Sequence, residues 1–174
     1  MSDDLVRAAQ RGSGQALTDL LVPLEKKLYC TALSVLGSTH DAEDAWQNTV
    51  FKAWRQIRKL RNPQLFRLWI TRILLNEATT ILRKRARSPV PRDYLPETAA
   101  PRPDIEQFLV VQEQLQLIPE HQRQAVVLRF WLDLSLDEIA LAMEVPLSTA
   151  KTRLYQGIQS LRENMRKEGL ANDR

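Results

Sequence analysis

The 174-residue chain holds 44% apolar and 26% charged residues at a formal net charge of +4, which suits folded cores and excludes a disordered polyelectrolyte. A single cysteine, and two histidines as far apart as His40 and His121, exclude an internal disulfide framework and a sequence-local metal motif. With only five glycines and a predominance of Leu, Arg, Gln, Ala and Glu, the composition predicts an all-α fold.

The opening Met1-Ser2-Asp3-Asp4 lacks a basic patch followed by an apolar stretch, so no signal peptide is expected. No apolar run approaches the roughly 20 residues of a membrane span, and the expected location is the cytoplasm, without membrane insertion. Helical periodicity then covers residues 5–10, 16–36, 41–60 and 64–87, separated by Gly12, Gly14, the Gly37-Ser38-Thr39 cluster and Asn62-Pro63. Cys30, inside Leu28-Tyr29-Cys30-Thr31-Ala32-Leu33, reads as a buried, inert thiol.

The third helix is expected to start at Asp41 or just before, where a short acid caps free amides and Glu43 and Asp44 suit the positive helix end. These three acids could bind a metal in principle, but a solvated helix start is the simpler account, and no cofactor or metal is expected. Trp46, Val50, Ala53, Trp54 and Ile57 recur at helical spacing and predict one buried stripe. In the fourth helix Phe66, Trp69, Ile70, Ile73, Ile81 and Leu82 can point inward. Arg72, Asn76, Thr80, Arg83 and Arg87 recur on another side and, with the run Arg83-Lys84-Arg85-Ala86-Arg87, predict a basic ridge. A merely solvated basic face would look similar.

Residues 88–103 hold five of the nine prolines and predict an extended, semi-rigid linker. The expected division is a helical module over 1–87, a linker over 88–104 and a second helical module over 105–174. Charge follows the same division: residues 1–87 carry 15 Lys/Arg against 8 Asp/Glu, whereas residues 105–174 carry 8 against 10. If nucleic acid is the partner, the first module supplies most of the non-specific attraction.

The second module reads as helices over 105–117, 120–132, 136–143 and 149–167. Ser135-Leu136-Asp137-Glu138 is a capping box, and Ser148 is expected to cap the last helix. Between these two helices Ala140 permits close approach and Val145 plugs the turn, which predicts a helix-turn-helix. Its second helix would lead into a major groove with Ser148, Thr149, Lys151, Thr152, Arg153 and Gln156. A plain helical hairpin with a polar outer face is the competing reading.

Two stretches carry a family resemblance. Asp41-Ala42-Glu43-Asp44-Ala45-Trp46-Gln47-Asn48-Thr49-Val50-Phe51-Lys52-Ala53-Trp54, followed by Phe66-Arg67-Leu68-Trp69-Ile70-Thr71-Arg72-Ile73-Leu74-Leu75-Asn76, resembles the N-terminal domain of bacterial sigma factors. The segment from Leu117-Ile118-Pro119-Glu120 to Leu128-Arg129, with Leu136-Asp137-Glu138-Ile139-Ala140 and Ser148-Thr149-Ala150-Lys151-Thr152-Arg153-Leu154, resembles their C-terminal promoter-reading domain. The order of the two, across a short linker, resembles the extracytoplasmic-function type.

This resemblance implies partners and roles. Asp44, Gln47, Asn48 and Phe51 would dock on core RNA polymerase, and an anti-sigma factor would control the protein. The loop over 58–65, with Arg58, Lys59, Arg61 and Asn62, and the helix residues Arg72, Asn76, Thr80, Arg83 and Arg85 would capture and melt the minus-ten element of promoter DNA. Ser148, Thr149, Lys151, Thr152, Arg153 and Gln156 would read the minus-thirty-five element. A basic surface of this kind suits holding a displaced single strand. Val50 stands where the family usually has phenylalanine and Thr80 where it has an acid, whose loss implies a changed minus-ten preference; Gln156, Gly157 and Gln159 stand where arginines are common, and the loss of those arginines implies weaker phosphate anchoring.

No enzyme is expected, because no glycine-rich phosphate loop, nucleophile and base cluster or supported carboxylate pair occurs. Two other readings stay open: a stand-alone helix-turn-helix regulator, for which no dimerisation face is evident, and a sigma-like decoy without DNA contact.

Overall fold

The computed structural model describes residues 3–87 and 106–167, which belong to two compact units. Helices are the regular elements of both, as the composition predicts. The proline-rich segment over 88–103, and with it the expected linker, lies outside the described residues.

In the N-terminal unit α1 spans Asp3–Gln10, α2 Gly14–Leu36, α3 Thr39–Gln56 and α4 Phe66–Arg87. Local chemistry sets their ends. Ser13 accepts a hydrogen bond from the Ala16 N–H, so α2 begins at Gly14, ahead of the expected residue 16. Gly37 ends α2 in the left-handed conformation at φ 67° and donates to the Leu33 carbonyl. Ser38, not Asp41, caps α3 by accepting from the Asp41 N–H at 3.3 Å. The expected helices over 41–60 and 64–87 are trimmed where they meet, because the chain tightens into two 3₁₀ turns, Ile57–Lys59 and Pro63–Leu65.

Small side chains let these helices approach closely. Ala42, Ala45 and Ala53 of α3 are fully buried, as are Leu20, Leu28 and Tyr29 of α2 and Phe66, Ile70 and Leu74 of α4. Each buried Leu-sized side chain contributes about 1.5–3 kcal/mol. Buried Glu77 of α4 pairs with Lys52 of α3, so a charge is held between two helices by its counter-ion. Cys30 is buried. The expected α3 stripe holds for Trp46, Ala53 and Ile57, but Val50 is half-buried and Trp54 is 47% exposed. The Trp54 indole lies along the start of α2, 3.7 Å from where a Gly14 Cβ would stand, and covers that end without entering the core. In α4, Trp69, Ile73, Ile81 and Leu82 are likewise only half-buried, and Leu68, Leu75 and Ala78 take the core positions.

In the C-terminal unit α5 spans Glu106–Gln116, α6 Glu120–Phe130, α7 Leu136–Ala142 and α8 Leu147–Lys167. Leu128, Leu134, Ile139, Ala150 and Leu154 form its core, and Phe108 packs on Trp131 with ring centroids 4.9 Å apart. The capping box of α7 is present in both directions. Between α7 and α8, Glu144 takes a left-handed φ of 54° and the Val145 N–H donates to the Ala140 carbonyl at 3.0 Å. The sequence expectation of a tight helix-turn-helix is thereby met. The Ala150 N–H bonds to the Pro146 carbonyl, so α8 already starts at Leu147 and Ser148 lies inside its first turn instead of capping it.

Arg123 is buried in α6 and its guanidinium donates to the carbonyls of Leu115, Gln116 and Ile118 at 3.3–3.5 Å. It thus closes the C-terminal end of α5. Burial pushes its pKa down, and the nearby Glu120 carboxylate acts in the opposite direction.

Candidate functional site

Among the described residues, the candidate positions fall on three exposed polar faces. On α3, at about 100° per residue, Asp44, Gln47, Asn48 and Phe51 fall within an arc of about 100° opposite the alanine face. All four are exposed, Phe51 at 59%. The face is ordered along the helix. His40 lies 3.7 Å from Asp44, Gln47 donates to Glu43 at 3.3 Å, and the Arg55 guanidinium sits 5.5 Å from the Phe51 ring centroid. Partly exposed Trp54 borders the same face, an aromatic contribution that the expected buried stripe had hidden.

The second face combines the loop after α3 with α4. Gln10 of α1 anchors the loop by donating to the carbonyls of Ile57 and Leu60, at 3.1 and 2.7 Å. Arg58 donates from Nε to the Gln10 carbonyl at 3.2 Å, while its residue stays exposed beside Lys59 and Arg61. Asn62 accepts from the Gln64 N–H at 3.1 Å, so its carbonyl oxygen serves the turn. Along α4, Arg72, Asn76, Thr80, Arg83 and Arg87 are exposed within an arc of about 80°. The Thr80 hydroxyl donates to the Asn76 carbonyl.

Arg85 departs from this ridge. On the helical wheel it lies about 180° from the ridge centre, a signal already present in the residue spacing. Its guanidinium pairs with Asp41 and donates to the Leu36 carbonyl at 3.2 Å. Asp41 therefore turns inward, away from Glu43 and Asp44. Among the described residues no group of three His, Cys, Asp or Glu could hold a metal ion.

The third face is on α8. Ser148, Lys151, Thr152 and Gln156 are exposed on one side, and half-buried Thr149 and Arg153 border it. Ser148, Thr149, Thr152 and Arg153 line a shallow hollow of about 320 Å³. Gln156 accepts from Gln122 of α6 at 3.3 Å, which ties this part of the face to the supporting helix. Tyr155, 57% exposed, shares the side of Lys151 and Gln159 and belongs to the face by its spacing alone, an addition to the six residues expected there. Gly157 is buried against α6: a Cβ there would stand 2.7 Å from Val126 Cγ2 and 2.9 Å from the Gln122 carbonyl oxygen. An arginine at this position has no space, so Gly157 is a packing residue and not a lost phosphate anchor.

Among the described residues no helix is long and apolar enough to cross a membrane. Comparison with known proteins places both units. Residues 21–88 match the family description "Sigma-70 region 2" and residues 108–161 match "Sigma-70, region 4". Sigma factor SigV of Bacillus subtilis is 30% identical over 148 residues, covering 84% of this chain and 89% of the relative. The ECF RNA polymerase sigma factor SigW of the same organism is 27% identical over 181 residues, covering 92% and 95%. In structure, CnrH in complex with the cytosolic domain of CnrY aligns at a TM-score of 0.73 and 21% identity, over 95% of this chain and 97% of that one. The sigma factor RpoE, in complex with the anti-sigma factor NepR from Bartonella quintana, aligns at 0.72 and 24% identity, over 86% and 96%. At these identities the two structures speak for the fold.

Proposed function

Because this chain belongs to the extracytoplasmic-function group of the sigma-70 family, initiation factors and not enzymes, we propose that its three exposed faces divide the work of promoter-specific initiation. Asp44, Gln47, Asn48 and Phe51 of α3 dock on core RNA polymerase. The loop residues Arg58, Lys59 and Arg61 and the α4 ridge of Arg72, Asn76, Thr80 and Arg83 capture the minus-ten element and hold the displaced strand. Ser148, Thr149, Lys151, Thr152, Arg153 and Gln156, joined by Tyr155, read the minus-thirty-five element in the major groove. The protein acts in the cytoplasm without chemistry of its own. By likeness to RpoE with NepR, an anti-sigma factor holds it inactive until a signal arrives.

The observation that carries this reading is the order of surfaces on the two matched regions. A polar, aromatic-bordered face and a cation-rich ridge occupy the first, and a donor-rich helix-turn-helix occupies the second. Long-range attraction to DNA belongs mainly to the first region, because the second is net acidic. Transcription reconstituted with core polymerase tests the division, on templates with and without the minus-thirty-five element. Arg83→Ala should lower open-complex formation on both templates and flatten its salt dependence. Thr149→Ala with Arg153→Ala should cost about 1–3 kcal/mol per lost base contact, and only where the element is present. Equal losses on both templates for both variants would refute the assignment.

A further inference from the structure

In the last nine residues of α4, 79–87, no side chain is fully buried; beyond Ala78 the inward face continues only with half-buried side chains, Ile81, Leu82 and Arg85 among them. Helix ends with so thin a packed face fray, because one hydrogen bond per residue barely offsets the entropy of ordering the chain. Thr80, Arg83 and Arg87 of the ridge nevertheless lie on this stretch. Arg85 is the last residue of this stretch to turn back to the body of the unit, and it does so through polar contacts. One arm of its guanidinium reaches the Leu36 carbonyl, at the electronegative end of α2, and the other reaches Asp41 in the first turn of α3. The Asp41 side chain is only 12% exposed and that of Arg85 is 37% exposed, so solvent screens the pair less than a surface ion pair. A single guanidinium thereby joins the ends of three helices.

We propose that Asp41 and Arg85 form a strut that keeps the end of α4 helical, and that Asp41 is a positioning residue for promoter DNA, acting through Arg85. The inference rests on the reading of the α4 ridge as DNA-facing. It makes a prediction of opposite sign to simple electrostatics. Removing an acid from a domain that attracts DNA should tighten binding if charge alone counts. If Asp41 holds the ridge in place, removing it weakens promoter opening instead.

Hydrogen exchange and open-complex formation, both with the full chain and the second with core polymerase, separate these outcomes. Asp41→Asn should speed exchange of the amides over 80–87 by about tenfold, leave α2 and the C-terminal unit unchanged, and lower promoter opening by roughly three- to tenfold. Arg85→Lys keeps the charge but loses the planar fork that spans both partners, so it should reproduce both effects. Arg83→Ala should lower opening while leaving exchange unaltered. Unchanged exchange in Asp41→Asn, or tighter promoter binding by it, overturns the strut. Faster exchange in Asp41→Asn together with full activity of Arg83→Ala overturns the DNA-facing role of the ridge, and with it the positioning role of Asp41.

Discussion

Replacing Gly157 with alanine tests the placement of the DNA-reading helix most directly. In an unconstrained helix this change stabilises by about 1 kcal/mol, because glycine loses more backbone freedom on folding. Here the added Cβ would lie 2.7 Å from Val126 Cγ2 and 2.9 Å from the Gln122 carbonyl oxygen. Val126 can yield by a small rotation, but the carbonyl is part of the α6 backbone and cannot. The two helices must therefore separate, at an overpacking cost of about 1–3 kcal/mol. With the backbone contact placing the cost near the upper end, the net result is a destabilisation of about 2 kcal/mol. Gly14→Ala is the control, since a Cβ there meets its nearest neighbour, Trp54, at an ordinary 3.7 Å. Urea denaturation, with hydrogen exchange of α6 and α8 peptides isolating the C-terminal unit, reads the difference. An α8 displaced from α6 would also misplace Gln156, so transcription should fall most on promoters with a minus-thirty-five element. A Gly157→Ala protein as stable as the parent would show that the helices do not approach this closely.

Arg123→Lys should destabilise the C-terminal unit by about 2 kcal/mol in the same assay, because the three carbonyls converge on the single nitrogen Nη1 and a lysine side chain, one bond shorter, does not reach them. Lys52→Met should cost the N-terminal unit about 3 kcal/mol by leaving Glu77 buried without its counter-ion, and adding Glu77→Met should recover most of the loss; thermal unfolding of the two variants decides it. Gln47→Ala with Asn48→Ala should weaken core-polymerase binding roughly tenfold at unchanged helical content, since both side chains are exposed. Parent-like affinity in that double variant would remove α3 from the docking surface.

Much of this architecture is legible in the residues because its signals are local. Gly37 with Ser38 and Thr39 behind it marks a helix end, Ser135 and Glu138 close a capping box across four residues, and Ala140 with Val145 shapes the turn before α8. The spacing of Arg72, Asn76, Thr80 and Arg83 likewise places them on one face without reference to the rest of the chain. What the tertiary structure decided was which neighbour each face meets. Periodicity marked Trp54 as apolar, but only the run of α2 beside it leaves the indole half in solvent. Spacing alone sets Arg85 opposite the ridge, but only the junction of α2 and α3 supplies the carboxylate and the carbonyl that hold it there. Gly157 stands where arginines are common, but the α6 backbone lies against it. In each case the residue's own chemistry permits two roles, and the choice depends on atoms far away in sequence. Helix propensity and spacing carry no information about those atoms, because the energy that separates the roles comes from burial and pairing formed only on folding.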